Sequence, residues 1–350
     1  MTPEARLVAA ARRQPVDRTP VWFMRQAGRC LPAYRELRTR YDILTLAKTP
    51  ELCTQITLMP VDTFGVDGAV MFADIMLPIE TMGVSLEIQP EIGPIIHHPI
   101  RSMAAVDALV IREAEEATPF VFEALRLLRH ELRGGKAATI GFSGAPFTLA
   151  CYLIEGRPSR DYALAKGLMF GEPAIWHALL AKVSEVVVRY LRAQAAAGAQ
   201  ILQIFDSWVG ALAPADYAEY VLPHSQYIFD RLRELDVPTI HFGTSASTLL
   251  EHLVRAGGDV MSVDWRLPLD EAWARIGYER GIQGNLDPTM LTAPFVRIER
   301  GVRDVLDRAN GRDGHIFNLG HGVPPETPPD NLTRIVELVH AATARTGATR

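Results

Sequence analysis

Short apolar runs rich in β-branched and aromatic residues alternate along most of this chain with longer stretches of helix-forming residues. The β-like runs are "VWFMR" (21–25), "AVMFAD" (69–74), "ATIGFSG" (138–144), "QILQIFDS" (200–207), "PTIHFG" (238–243), "VMSVDW" (260–265), "GIQGNL" (281–286) and "HIFNLGHG" (315–322). Most are apolar on both alternating faces, the pattern of strands buried in a parallel sheet. Helix candidates lie between them. The stretch 174–197 is built of strong helix formers and stops at Gly198; 119–133 is another. The run 214–236 opens with a proline in its first turn, and Pro223 should kink or split it. A last helix begins near 330 with Asp330 as N-cap. The stretch 84–100, "VSLEIQPEIGPIIHHPI", breaks the alternation and predicts a β-hairpin insertion after the second strand.

Eight strand candidates alternating with helices predict an α/β protein, a single-domain (β/α)8 barrel spanning 1–350. An open doubly wound sheet is the alternative, but no G-x-G-x-x-G follows any of the strands. In a parallel barrel the C-terminal strand ends share one mouth, where such folds build active sites. The ends here are Arg25 and Gln26, Asp74, Ser143 and Gly144, Asp206 and Ser207, His241, Asp264, Asn285 and His321. Turn chemistry alone places Asp, Asn, Ser and Gly at strand ends, but not Arg or His.

Bulk composition narrows the partners. Apolar residues make up 48% and charged residues 22%, and the formal charge is −5, which excludes a general basic face for nucleic acid. Against that trend, residues 21–40 hold Arg25, Arg29, Arg35, Arg38 and Arg40 with Glu36 as their one acidic neighbour. Arg35 and Arg40 fit a solvated helix face paired with Glu36. Arg25 and Arg29 do not, because Gly28 and Pro32 interrupt the helix on which such a face would sit. Guanidinium groups bind carboxylate or phosphate bidentately, so the cluster predicts a ligand with several negative charges. The phosphate loop G-x-x-x-x-G-K-[ST] is absent. Cys30, Cys53 and Cys151 form no C-x-x-C pair, which argues against a zinc ribbon or a disulfide framework. The first twenty residues lack a signal-peptide apolar region, and no uninterrupted apolar stretch reaches membrane-span length, predicting a cytoplasmic protein without membrane contact.

The stretches "PVWFMRQAGRCLPAYR" (20–35) and "IGFSGAPFTLACYLIEG" (140–156) resemble the two signatures of the uroporphyrinogen decarboxylase family. "FADIMLP" (72–78), "IFDSWVG" (204–210), "GNLDP" (284–288) and "NLGHGVPPETPPDN" (318–331) follow in that family's order. Cys30 departs from it, standing where the family usually has an aromatic residue. The resemblance implies a distorted (β/α)8 barrel and a homodimer. It also implies conversion of uroporphyrinogen III to coproporphyrinogen III in tetrapyrrole synthesis, four acetate side chains losing CO2 to become methyls, with no metal and no organic cofactor. The positions it makes functional are Arg25, Gln26, Arg29, Tyr34, Arg38, Asp74, Tyr152, Ser207 and His321 as substrate contacts. Among them Asp74, Arg25, Arg29, Tyr152 and His321 form the catalytic set.

Such a substrate carries eight carboxylates around four pyrrole N–H groups. The arginines suit the first and an acceptor such as Asp74 suits the second. Protonating a pyrrole carbon makes an electron sink within the substrate, and a desolvated carboxylate stabilises the resulting cation. The proton donor stays open among Tyr152, His321 and a water or substrate carboxyl held by arginine. The related cobalamin- or coenzyme-linked methyltransferases hold zinc through H-x-C and a later Cys. Here His241 is followed by Phe242 and Gly243, and no cysteine follows Cys151. A non-catalytic tetrapyrrole carrier is a further alternative; it would keep the arginines without needing Asp74 and Tyr152. His241, Asp264 and Asn285 read as structural, and His97 and His98 as surface.

Overall fold

The computed structural model describes residues 1–89 and 93–345. Its strands are β1 (Gly68–Val70), β2 (Leu86–Gln89), β3 (Gly93–Ile96), β4 (Ala138–Gly144), β5 (Ile201–Asp206), β6 (Thr239–Gly243), β7 (Val260–Ser262), β8 (Gly281–Leu286) and β9 (His315–Leu319). Seven of them form one sheet in the order β1-β4-β5-β6-β7-β8-β9, every neighbouring pair parallel. Helices cross between successive strands, as parallel pairing requires.

The sheet is curled. Gln283 on β8 donates to Gln203 on β5 across the concave side at 3.1 Å, although two strands separate them in the sheet. Gln283 also donates to Ser262 and accepts from the Trp22 indole N–H at 2.9 Å. These buried polar groups and the fully buried Trp22 fill the interior.

The expected first strand, 21–25, is a single parallel bridge from Val21 to Phe317 of β9. Trp22 N–H donates to the Phe317 carbonyl and Phe317 N–H to that of Pro20, while Asp67 N–H, just before β1, donates to the Val21 carbonyl. The segment thus touches both edge strands. It does not continue as a strand because side chains take over its ladder. Asn318 Oδ1 accepts from Met24 N–H, Gln26 Oε1 accepts from Phe23 N–H, and Arg25 turns left-handed at φ 58°.

Other boundaries also differ. The run 69–74 ends as β-structure at Val70, and Phe72 N–H goes to Thr57 Oγ1. The run 260–265 ends at Ser262, where the loop-bracing bonds of Asp264 begin. The long helix candidate splits into Pro214–Tyr220 and Leu222–Leu232, with Pro223 in the first turn of the second. Asp330 is no cap: the last helix is Pro329–Ala342, and Asp330 sits in its first turn. Within 84–100, β2 and β3 pair antiparallel with Leu86 opposite Ile96, and His97 pairs with Glu87 in solvent.

Behind the Val21 bridge lies a buried ion cluster. Asp67, with no exposure, accepts from Arg6, from Val21 N–H at 2.8 Å and from His340 Nε2 at 2.8 Å. Arg6, 1% exposed, also bonds Asp17 through Nε and Nη2 at 2.7 and 3.0 Å, which with the charge of the terminal amine holds that carboxyl far below its usual range.

Asp67→Asn leaves Arg6 without its fully buried counter-charge. It should cost about 3–5 kcal/mol in urea unfolding, more than any exposed ion pair such as Arg303–Glu299. A second expectation concerns pH. His241 and His315 are buried, and desolvation pushes both down to about 4. The unfolded chain takes up these protons near pH 6.5, so their share of stability is complete above that and drains away as pH falls towards 4. In a urea series from pH 7 to 4, His315→Gln should lose stability less steeply than wild type, by up to about 1.4 kcal/mol per pH unit.

Candidate active site

The C-terminal ends of β4 to β9 and the turn after Val21 open on one side of the sheet. The turn is built from its glycine and glutamine. A Cβ at Gly28 would lie 2.8 Å from the Arg25 carbonyl oxygen, so the chain can double back only there. Gln26 is wholly buried; its Nε2 donates to Gly68 O at 2.8 Å while its Oε1 caps Phe23 N–H. Both ends of that amide serve the backbone, so Gln26 holds the turn against β1 and aims its neighbour, Arg25, into solvent.

Arg25 is the electrostatic hub. Asp74, half-buried, lies in the loop four residues beyond β1, its Oδ1 accepting from Met76 N–H at 2.8 Å. Burial raises its pKa, and the Glu80 charge adds to this, while the Met76 N–H and the Arg25 charge oppose. Tyr152 projects from the helix Pro146–Glu155. Burial and then the Asp74 charge push its hydroxyl well above the ordinary phenol value, with Arg25 again opposing. His321 sits between Gly320 and Gly322 beyond β9, with its ring 6.1 Å from that of Phe242. Burial, Arg25 and Arg266 bring its pKa down to about 4 against the pull of Asp264, so the imidazole is neutral at physiological pH. A Cβ at Gly322 would stand 2.5 Å from Arg25 Cδ; glycine lets the arginine stem lie directly on the backbone beside His321.

Arg29 and Arg38 form the outer part. Arg29 is exposed, and its charge and that of Arg38 both act on the Tyr34 hydroxyl. Tyr34 is buried, its ring 5.6 Å from Phe72 in the loop leading to Asp74. Arg38 Nη1 donates to Tyr41 O at 2.7 Å. Arg40 pairs with Glu36 at 2.6 Å as the helical spacing predicts. Arg35 does not: it reaches back to the carbonyls of Arg29 and Cys30 at 2.9 and 3.4 Å and ties the turn to its helix. Cys30 itself is buried, its thiol pushed up to about 11 by desolvation.

Ser207 follows β5, and the residue after it is one the sequence reading passed over. The Trp208 ring lies 4.0 Å from Tyr152 and 4.9 Å from Tyr162, so an indole stands between two phenols at the mouth. Its backbone is anchored through Thr148, whose hydroxyl accepts from Trp208 N–H and donates to Asp206 at 2.9 Å. Burial raises the Asp206 pKa to about 7. The signal was present in "IFDSWVG", but one sequence does not reveal which ring a tryptophan at a strand end will meet. His241 faces away from the mouth: it is fully buried, 4.7 Å from the Phe229 ring, with Nδ1 on Gly257 O.

The arrangement is thus an arginine, Arg25, whose charge acts on a carboxylate, Asp74, on a poorly acidic phenol, Tyr152, and on a neutral imidazole, His321, with further arginines at the rim. Such a site suits a polyanion that carries N–H donors. The family model described as "Uroporphyrinogen decarboxylase" matches residues 2–342. The uroporphyrinogen decarboxylase of Sorangium cellulosum is 54% identical over 96% of both chains, and that of Carboxydothermus hydrogenoformans 52% identical over 95% of this chain and 94% of its own. An enzyme of that name from Thermus thermophilus is 51% identical over 97% of this chain and 98% of its own. In fold, the chain is similar to a methyltransferase from Methanosarcina mazei, with a TM-score of 0.81 at 18% identity over 98% of this chain and 99% of the other. Matched along nearly its whole length and more than half identical to these three relatives, the chain belongs to the uroporphyrinogen decarboxylase family.

Proposed function

We propose that this chain decarboxylates the four acetate side chains of uroporphyrinogen III to methyl groups, giving coproporphyrinogen III. The observation that carries this reading is the gathering of Asp74, Tyr152 and His321 within the reach of one cation, Arg25, at the mouth. Asp74 accepts the pyrrole N–H groups, and Arg25, Arg29 and Arg38 take carboxylates at the rim. Tyr34, Tyr152, Ser207 and His321 complete the contacts, while Gln26 acts through the turn it holds. A proton added to a pyrrole carbon makes the ring cationic. The acetate C–C bond then breaks, its electrons enter the ring, CO2 leaves, a proton taken up at the methylene carbon gives the methyl, and the proton first added to the ring carbon is lost to restore the pyrrole. One proton is consumed for each CO2 released.

Asp74 stabilises the cationic ring more than the neutral one, so its worth lies in the transition state. Tyr152, with its pKa raised, is a weaker acid than ordinary phenol, and His321 is neutral. Their electrostatics therefore support positioning roles and disfavour either as proton donor. The pyrrole supplies the electron sink, so the reaction needs no metal or organic cofactor. The methyltransferase alternative is disfavoured by His241, which is packed against Phe229 away from the mouth.

The contacts of the Val21 segment with β9 and with Asp67 before β1 favour its reading as the eighth stave of a closed (β/α)8 barrel, with β2–β3 as an insertion. The chain is taken as one domain over 1–350 and as a cytoplasmic homodimer, the latter on the family resemblance. Among the described residues no helix is long and apolar enough to cross a membrane.

Anaerobic incubation with uroporphyrinogen and product analysis test the reading directly: the four-carboxylate product should accumulate, and binding without any CO2 release would make the chain a carrier. Asp74→Asn, which turns one acceptor towards the pyrroles into a donor, should abolish turnover. Asp74→Glu, which moves the charge by about 1.5 Å, should keep some activity and release more seven-, six- and five-carboxylate intermediates. Near-normal turnover by Asp74→Asn would reduce this residue to a cap for Met76. The pH profile gives a further test. Because the Arg25 charge lowers the Asp74 pKa, Arg25→Lys should leave the acid limb of kcat/KM close to wild type, whereas Arg25→Gln should move it to higher pH.

A further inference from the structure

The loop after β7, Asp264–Trp265–Arg266, carries a cation that the reaction as described does not use. Asp264 is buried and anchors it. One carboxylate oxygen accepts Arg266 N–H at 2.9 Å; the other accepts Arg266 Nη1 at 2.9 Å and the Ser245 N–H. The guanidinium lies over the Trp265 ring, 4.2 Å from its centroid. Its bond to Asp264 leaves most of the five guanidinium donors unused among the described residues, and the side chain is 45% exposed. It is a cation held in place from below with donors open to solvent.

Its position is set by the glycines around His321. A Cβ at Gly320 would lie 2.6 Å from Trp265 N and 3.0 Å from Asp264 Cα, just as one at Gly322 would meet the stem of Arg25. The short segment Gly320–His321–Gly322 is therefore packed between Arg25 on one side and the 264–266 loop on the other. The charges of both arginines act on the His321 ring, as groups sharing one mouth would.

We propose that Arg266 is a further substrate-binding residue, a clamp for a peripheral carboxylate of the tetrapyrrole on the far side of His321 from Arg25. This rests on the function proposed above. The carboxylates of a cyclic tetrapyrrole radiate in all directions, so arginines grouped in the 25–38 segment reach one side of the ring only. A clamp across the mouth fixes how the ring is rotated about its centre. Because Asp264 already balances the charge of Arg266, the contact is directional hydrogen bonding more than a long-range field.

The test uses Arg266→Gln, which keeps a planar group over Trp265 and loses the fork, with Arg266→Lys beside it. Uroporphyrin I, the oxidised fluorescent octacarboxylate, is titrated against each protein, and steady-state rates are measured with uroporphyrinogen. Arg266→Gln should raise both the Kd for uroporphyrin and KM by about tenfold, the lower end for a charge-assisted contact, with kcat within about twofold. Arg266→Lys should fall between Gln and wild type. If wild type turns over normally while Arg266→Gln, with unchanged Tm, keeps wild-type Kd and KM, the proposal is overturned. A fall in kcat at unchanged KM and Kd also overturns it, since that places Arg266 behind His321 as a mere support. Wild-type protein that binds uroporphyrin but releases no CO2 overturns the decarboxylase reading instead, and the Kd ratio still decides the role of Arg266.

Discussion

The Asp67 carboxylate has no contact with solvent and is shared by donors from three distant parts of the chain: Arg6, the backbone of Val21 and His340. An ion so deeply buried is tolerable only when every lone pair is used, and here the donors are the N-terminal helix, the segment before the active-site turn and the C-terminal helix. The N–H of Val21 fixes the depth at which that segment enters the sheet. Four residues later the chain must turn, and Arg25 is delivered to the mouth. The position of the principal cation is therefore set from the opposite end of the strands, by a carboxylate that never meets substrate.

At the mouth itself the logic is subtraction. Burial pushes the Asp74 pKa up against the opposing pull of the Met76 N–H and Arg25, and it strips the charge from His321. Asp74 and His321 thus share the influence of one cation, Arg25, at a mouth where burial works against charge on both. The rim arginines lie farther out, Arg29 exposed and Arg38 half-buried, where they act on the Tyr34 hydroxyl and are suited to holding carboxylates.

Strong local patterns were readable directly. β4, β8 and the helix Pro173–Ala196 fall where their apolar runs place them, and Pro223 divides its helix. Two of the shortened strands have one cause, side chains competing for backbone hydrogen bonds. Residues 21–25 look like a strand, but Asn318 and Gln26 take their N–H groups; 69–74 look like a strand, but Thr57 takes Phe72. Such partners are remote in sequence or of a type that periodicity ignores. For the site, the motif resemblance named Arg25, Asp74, Tyr152 and His321, which the structure brings to one mouth. It could not show that Gln26 spends both ends of its amide on the backbone, that Arg35 ties down the turn, or that Trp208 stands against Tyr152.

That last contact gives the protein an optical property. Of its five tryptophans, Trp22, Trp176 and Trp273 are sealed in the core and Trp265 lies under a guanidinium. Trp208 alone stands, half-buried, between two phenol rings beside the residue that would touch the substrate. Its emission should therefore answer to what fills the mouth, and an oxidised porphyrin seated there would absorb it. The fold thus carries an intrinsic fluorophore at its own entrance, so occupancy can be followed without a label.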